Sequence, residues 1–369
     1  MAQSIIGVND PKAVKRFSAQ LFVDQSREGY FSNRFEGRGE TAMSPLQVLT
    51  QLQRDAGDTI SFDLNMALRQ KPTYGDARLK GKEEALRFYT DQVKIDQVRC
   101  GVSAGGRMTR KRVLHDLRQV ARARMAEWWG RWNDEVTSIY QAGARGINPE
   151  FIEDLDYTGF AGNALEAPST ERIVYGGDAT GKADLATDDK MSLALIERLQ
   201  TKAKTQGGGT SGVPRIRPIK IDGEEHHCLL MHPFQEYDLR TNTNTGQWLD
   251  IQKAAAGAEA RKGPMFKGGL GMYNNTVLHS HEIAILFDDY GVGSNVEAAR
   301  AIFMGRQAGV VAYGSPGNGL RMEWHEEQED HGNEILISSS AILGRKKTRF
   351  NGIDFGQYAV DTAAADPNA

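Results

Sequence analysis

Apolar residues between Arg107 and Gln141 fall at helical intervals. Leu114, Leu117, Ala121, Met125, Trp128, Trp132, Val136 and Ile139 are spaced 3-4-4-3-4-4-3, the stripe of an amphipathic helix. Gly130 costs such a helix about 1 kcal/mol without forbidding it, and Gly143 closes it. At 1.5 Å per residue this helix would run about 52 Å. A compact globule of this length is only about 54 Å across. The helix therefore predicts an elongated or plate-like subunit.

A different period precedes it. From Thr59 to Leu68 every second residue is apolar (Ile60, Phe62, Leu64, Met66, Leu68), which predicts a half-buried strand. Gln92 to Ser103 alternates too, with its phase shifting near Val98 as at a bulge. Between them lie Lys71-Pro72-Thr73-Tyr74-Gly75-Asp76 and a short helical stretch, Lys82 to Thr90. Together they read as a long hairpin with an elaborated tip. An isolated two-stranded hairpin is marginal in water, so something must cover Phe62, Leu64 and Val93.

The remaining pattern predicts a helix after Ser44-Pro45 through Leu46, Leu49 and Leu52, ended by Gly57. It predicts further helices over Asp189–Lys204, stopped by Gly207-Gly208-Gly209-Thr210, and over Val296–Val311, capped by Ser294 or Asn295. Strands are expected over Arg215–Asp222 and His226–Met231 about an Asp222-Gly223 turn, then over Asn275–Phe287, Asn333–Leu343 and Gln357–Val360. Residues 143–190 read as loop, and the tail from Ala363 to Ala369 as frayed. There is no internal repeat. With no βαβ rhythm the class is α+β.

Composition narrows the function. The 369 residues carry 45 basic and 48 acidic side chains, a formal net charge of −3, so bulk cationic binding of nucleic acid is excluded. Cys100 and Cys228 are too few for a disulfide framework. The longest wholly apolar run is Ile283 to Phe287, far short of a membrane span, and the N-terminus has no secretory pattern. A soluble protein is expected, with no cofactor and no catalytic residues.

Candidate chemistry is sparse. Gly176-Gly177-Asp178-Ala179-Thr180-Gly181-Lys182-Ala183 matches a P-loop except that Ala183 replaces the Mg²⁺-binding hydroxyl. A P-loop also opens directly into a helix, whereas Ala183 to Thr187 intervenes here. Ile283 to Phe287 followed by Asp288-Asp289 could supply the acidic strand end. The alternative of a P-loop-like nucleotide-binding enzyme rests on Gly176 to Lys182 alone, and a Gly-rich surface loop is the better reading. Histidines cluster as His226-His227 with His232, His279 with His281, and His325 with His331, without a metal-ligand spacing. His279 and His281 form the best pair, sharing a strand face; structural roles are favoured for all. The long helix starts basic (Arg107, Arg110, Lys111, Arg112, Arg118, Arg122, Arg124), but Asp116, Glu127, Asp134 and Glu135 dilute its field. Trp129 sits about 100° off the stripe, the position of an aromatic that meets another segment or another subunit.

Several stretches, in order, resemble the major capsid proteins of tailed phages, in the N-four-type capsid family. They include Gly57-Asp58-Thr59-Ile60-Ser61-Phe62, Leu79-Lys80-Gly81-Lys82-Glu83-Glu84, Val93 to Arg99, Arg112 to Arg118 with Ala121 to Arg124, Met231-His232-Pro233, Gly344 to Lys347, and Phe350 to Gly356. The resemblance runs from about Pro45 to Asp361. It implies the Hong-Kong-97-type capsid fold. Residues 1–57 would be the N-terminal arm and 58–105 the extended hairpin loop. Residues 106–189 would hold the peripheral domain with spine helix 107–141, 190–314 the axial domain, and 315–369 the return and tail. It implies no enzyme but a shell subunit of the virion, assembled in the host cytoplasm. Partners would be its own copies as hexamers and pentamers, scaffolding, portal and decoration proteins, and packaged double-stranded DNA through non-specific contact, with no membrane. On this reading Lys71, Arg78 and Lys80 at the hairpin tip, and Trp129, are the candidate intersubunit contacts, and a neighbour would cover the hairpin's apolar face.

Overall fold

The computed structural model describes residues 21–25, 28–39, 42–53, 57–65, 70–85, 88–112, 117–206, 213–221, 223–243, 248, 251, 253, 264–315 and 320–368. The expectations for residues 1–20, Met66, Leu68, Leu114, Asp116, Gly207 to Thr210, Asp222 and Ala369 lie outside the described residues.

Two sheets share the core, joined by the long helix. The first is six-stranded. Its order is Glu36–Arg38, Leu46–Leu49, Gly309–Tyr313, Glu334–Lys347 and Met322–Glu329, with Asp96–Ser103 on the other edge of Glu334–Lys347. The second is eight-stranded, in the order Ile173–Tyr175, Gln357–Ala363, Val296–Met304, Glu224–Met231, Thr276–Ser280 and Gly271–Tyr273. Ile285–Tyr290 also pairs with Val296–Met304, and Ile219–Ile221 with Glu224–Met231. Gly309–Tyr313 thus joins the first sheet and Gln357–Ala363 the second, so the chain crosses between the two repeatedly. The class is α+β.

The spine helix is described as Arg107–Arg112 and Leu117–Ala142. Its first half lays Ala121, Met125 and Trp129 on the first sheet, against Trp324, Ile337 and Ala341. Its second half runs between the sheets, so every residue from 132 to 142 is buried. A helix covered on all sides keeps no polar face. Trp129 is therefore fully buried within its own subunit, and its indole N–H donates to the Ser339 hydroxyl at 2.8 Å. Of the two expected contacts, another segment or another subunit, it makes the first; the intersubunit role is corrected, because an enclosed side chain cannot reach a neighbour. Trp128, placed on the core stripe by its spacing, is only half-buried, stacked on Trp132. Gly143 (φ 70°) ends the helix, its N–H donating to the Ile139 carbonyl.

Three further expectations are corrected. Leu46–Leu49 is a strand, not a helix, with parallel neighbours on both edges, and all four residues are buried because core side chains cover both of its faces. Val296–Val311 is not helical either. Val296–Met304 and Gly309–Tyr313 are central strands covered on both faces, so apolar residues run on without alternation. The stretch from Lys82 has no helix: residues 82–85 are irregular and Phe88 already begins a strand. Asn275–Phe287 divides into two strands, and the helix expected from Asp189 begins at Leu193, capped by the Ser192 hydroxyl.

The hairpin is present. Thr59–Asn65 pairs antiparallel with Phe88–Lys94, and the return strand breaks at Ile95, not Val98, before Asp96–Ser103 enters the first sheet. Its base is covered by the chain itself. Ile60, Phe62 and Val93 are buried against Leu49, Val310, Ala312 and Phe355. A neighbour is therefore not needed to shield that face; what remains uncovered is the tip, residues 70–85.

Candidate assembly surfaces

Three consecutive polar residues in the enclosed half of the spine helix hold three separate segments. Asn133 accepts from the Arg345 guanidinium through both its carbonyl and its side-chain oxygen. Asp134 accepts the backbone N–H groups of Tyr30 and Phe31 at 2.6 and 2.9 Å. These begin the five-residue helix Tyr30–Arg34, whose own cap position is Gly29, without a side chain to offer. Asp134 thus does from another helix what an N-cap residue does locally, and it anchors the arm. Burial pushes its carboxyl up to about 7, against the two N–H donors that favour the charge. Glu135 accepts from Ile152 and Glu153 at 2.7 and 2.8 Å, fixing the loop after the helix.

Buried charge also ties the second sheet to the helix. Arg300 and Asp361, on adjacent strands, meet at 2.7 and 2.8 Å, and the Tyr290 hydroxyl donates to the same carboxylate at 2.7 Å. Arg300 also donates to the carbonyl of Ala142, the last helical residue, at 2.9 Å. That carbonyl belongs to the negative end of the helix dipole. Burial opposes the guanidinium's charge, but Asp361 and Tyr290 more than offset it and hold the group further protonated. On the first sheet's side Asp354 receives Lys347 at 3.2 Å and Arg349 at 3.0 Å. Arg345 and Lys347 are buried, while Lys346 lies on the opposite face, part-buried and paired with Asp91 of the hairpin at 2.6 Å, the alternation of a strand.

The outer surface differs. At the hairpin tip Lys71, Arg78 and Lys80 are exposed, and so are two large apolar side chains, Tyr74 (79%) and Leu79 (56%). Two of the tip's carboxylates are tied to backbone, while Asp76 is exposed. Glu84 accepts from the Gln70 N–H and Glu83 from the Gly81 N–H, at 2.7 and 2.6 Å. The cations are left facing out.

The glycine-rich loop has the geometry of a surface turn. Lys182 binds Asp289, at 2.5 Å, and lies 4.9 Å over the Tyr290 ring. The acid that could have completed a nucleotide site neutralises the lysine instead. Lys182–Asp184 is a single 3₁₀ turn rather than a helix, so no array of free amides awaits a phosphate. Gly177 is required by its φ of 49° and because a side chain there would collide with Asp189. Lys182→Ala is expected to change stability by no more than about 0.5 kcal/mol and to leave assembly intact, since both partners are half-exposed. Thermal shifts with and without ATP check this; an ATP-dependent rise lost in the variant would revive the nucleotide reading.

Three of the clustered histidines have structural places. His279 is buried between the Tyr30 hydroxyl (2.9 Å) and the Met265 carbonyl (2.8 Å), and burial lowers its pKa to about 4. His281 packs on the same Tyr30 ring, and His232 caps the helix Pro233–Thr241. Among the described residues no group of three or more His, Cys, Asp or Glu could hold a metal, and no helix is long and apolar enough to cross a membrane.

The family model described as phage capsid protein matches residues 5–366. The chain belongs to the phage capsid protein family. It is 27% identical to the major capsid protein of Pseudomonas phage KPP25, over 93% of each chain. Among solved structures it is similar to the capsid of Ralstonia phage GP4, with 49% identity, complete coverage of both chains and a TM-score of 0.87. The capsid of cyanophage Pam1 shares the fold at 20% identity and a TM-score of 0.65, covering 89% of this chain and 91% of that one. The fold is the Hong-Kong-97 type, and the protein is a tailed-phage major capsid protein, a subunit of the icosahedral head shell. A capsid subunit works through surfaces and through the stiffness of what carries them. The sequence located the tip cations. It missed the anchors Asn133, Asp134 and Glu135, whose signal was three polar residues in a row where a helix has no exposed side.

Proposed function

We propose that the subunit tiles its shell by laying the hairpin tip, residues 70–85, on a neighbouring copy, with Lys71, Arg78 and Lys80 meeting acidic partners. The supporting observation is the exposure of Tyr74 and Leu79 at the end of a hairpin whose base is buried in its own subunit. Exposed apolar side chains rimmed by charge mark contact sites. In this reading the arm is 1–57, the extended loop 58–105, the peripheral domain 106–189 with the return 315–369, and the axial domain 190–314. The copies form hexamers and pentamers in the host cytoplasm with scaffolding, portal and decoration proteins. The shell's inner face meets packaged DNA through non-specific contacts, and the protein has no catalytic role.

Replacing residues 70–80 by a short Gly-rich turn tests this. Since Ile60, Phe62 and Val93 are covered internally, the variant is expected to remain folded and soluble, with a thermal midpoint close to the parent's. It is expected to yield no closed shells by sedimentation. Parental yields of complete particles would show that the tip is not an intersubunit element.

A further inference from the structure

A cleft of about 1040 Å³ opens where the helix Tyr30–Arg34, the spine helix, the loop at 148–151 and the strand connection at 280–286 meet. Phe151, Ile283 and Leu286 contribute apolar surface to it. Glu28, Glu150 and Glu282 also line it; all three are exposed, and no salt bridge engages their carboxylates among the described residues. Three cations also line it: Lys267, which is exposed, and two that bond to backbone. Arg34 donates to the Lys267 carbonyl at 2.9 Å and Arg131 to the Glu150 carbonyl at 3.1 Å. The cleft thus offers apolar surface and an excess of carboxylates, six (Glu28, Glu127, Asp134, Glu135, Glu150 and Glu282) against three cations. Its walls are held by Asp134 on the arm side and Glu135 on the loop side, so it is built before any partner arrives.

The hairpin tip has the opposite character. It exposes four cations, Lys71, Arg78, Lys80 and Lys82, against Asp76 and two backbone-bonded glutamates, around the exposed Tyr74 and Leu79. We propose that this cleft receives the hairpin tip of a second copy. Tyr74 and Leu79 seat on the apolar lining, and the tip cations pair with Glu28, Glu150 and Glu282. Complementary charge orients the encounter, and burial of the two apolar side chains holds it. The inference rests on the reading of the tip as an intersubunit element and adds the surface that accepts it.

The test replaces Tyr74 with a photo-cross-linking amino acid, p-benzoylphenylalanine, in assembled particles and maps the adducts by mass spectrometry. Adducts between copies are expected at 28–34, 148–151 or 280–286. Adducts on another part of a second copy, or on residues 1–20, would overturn the cleft as receptor while leaving the tip as an intersubunit element. Complete particles without any adduct between copies would count against both. A charge swap supplies the second arm. Glu28→Lys/Glu150→Lys/Glu282→Lys and Lys71→Glu/Arg78→Glu/Lys80→Glu are each expected to lose shells while the isolated subunits melt as the parent does. Their combination is expected to restore shells. Normal assembly of the glutamate-to-lysine variant alone would overturn the cleft; normal assembly of the tip variant would overturn the tip reading.

Discussion

Asp361→Ala is expected to destabilise the subunit by about 3–5 kcal/mol, the cost of leaving a buried charge without its partner. The carboxylate is fully enclosed and accepts from Arg300 twice and from Tyr290 once. With it gone, the guanidinium keeps only the Ala142 carbonyl and the Tyr290 hydroxyl, with no negative charge in reach of those bonds. Such a loss is a large part of the 5–15 kcal/mol that a folded domain has in hand. Soluble yield and chemical denaturation measure it. The control is Arg300→Met/Asp361→Leu, which removes both charges and is expected to cost much less than the single change. If Asp361→Ala melts with the parent, the pair does not couple the second sheet to the helix end.

Trp129→Ala is expected to cost about 3–5 kcal/mol, as large-to-small changes of buried aromatics do. The ring is fully enclosed, meets Trp128 and Trp132 edge-on at 5.1 and 5.6 Å, and donates to Ser339. Truncation leaves a cavity between the spine helix and the first sheet and an unpaired hydroxyl on the sheet. Trp128→Ala, at a half-buried position, is expected to cost clearly less. Thermal unfolding of both variants decides the helix phase. Equal losses, or a larger loss at Trp128, would restore the stripe drawn from spacing alone.

That stripe shows where the sequence was readable and where it was not. Alternation at Ile60 and Phe62 is visible because one face of that strand is solvated, and the hairpin could be placed from it. Val296–Met304 lies between strands and under side chains on both faces, so its apolar run carries no period, and alanines at 298, 299 and 301 imitate a helix. Leu46–Leu49 misled in the same way, its spacing of three being fortuitous in a strand buried throughout. Met322–Glu329 does alternate, with Met322, Trp324 and Glu326 inward, but its four acids hide the pattern. For the spine helix, one stripe describes the first half. In the second half a second sheet covers the other side, which no local pattern announces. The exposure of the tip cations was legible because long charged side chains in an irregular segment stay in solvent. The cleft was not, since its walls come from four distant parts of the chain.

The central claim is that this chain closes shells by repeating contacts with its own copies. Electron microscopy of the protein, co-produced with the other structural proteins of its virion, tests it most directly. The expected result is closed icosahedral shells whose subunit density fits the two sheets and the spine helix, with residues 70–85 resting on an adjacent copy. A uniformly monomeric protein at high concentration under those conditions would contradict it.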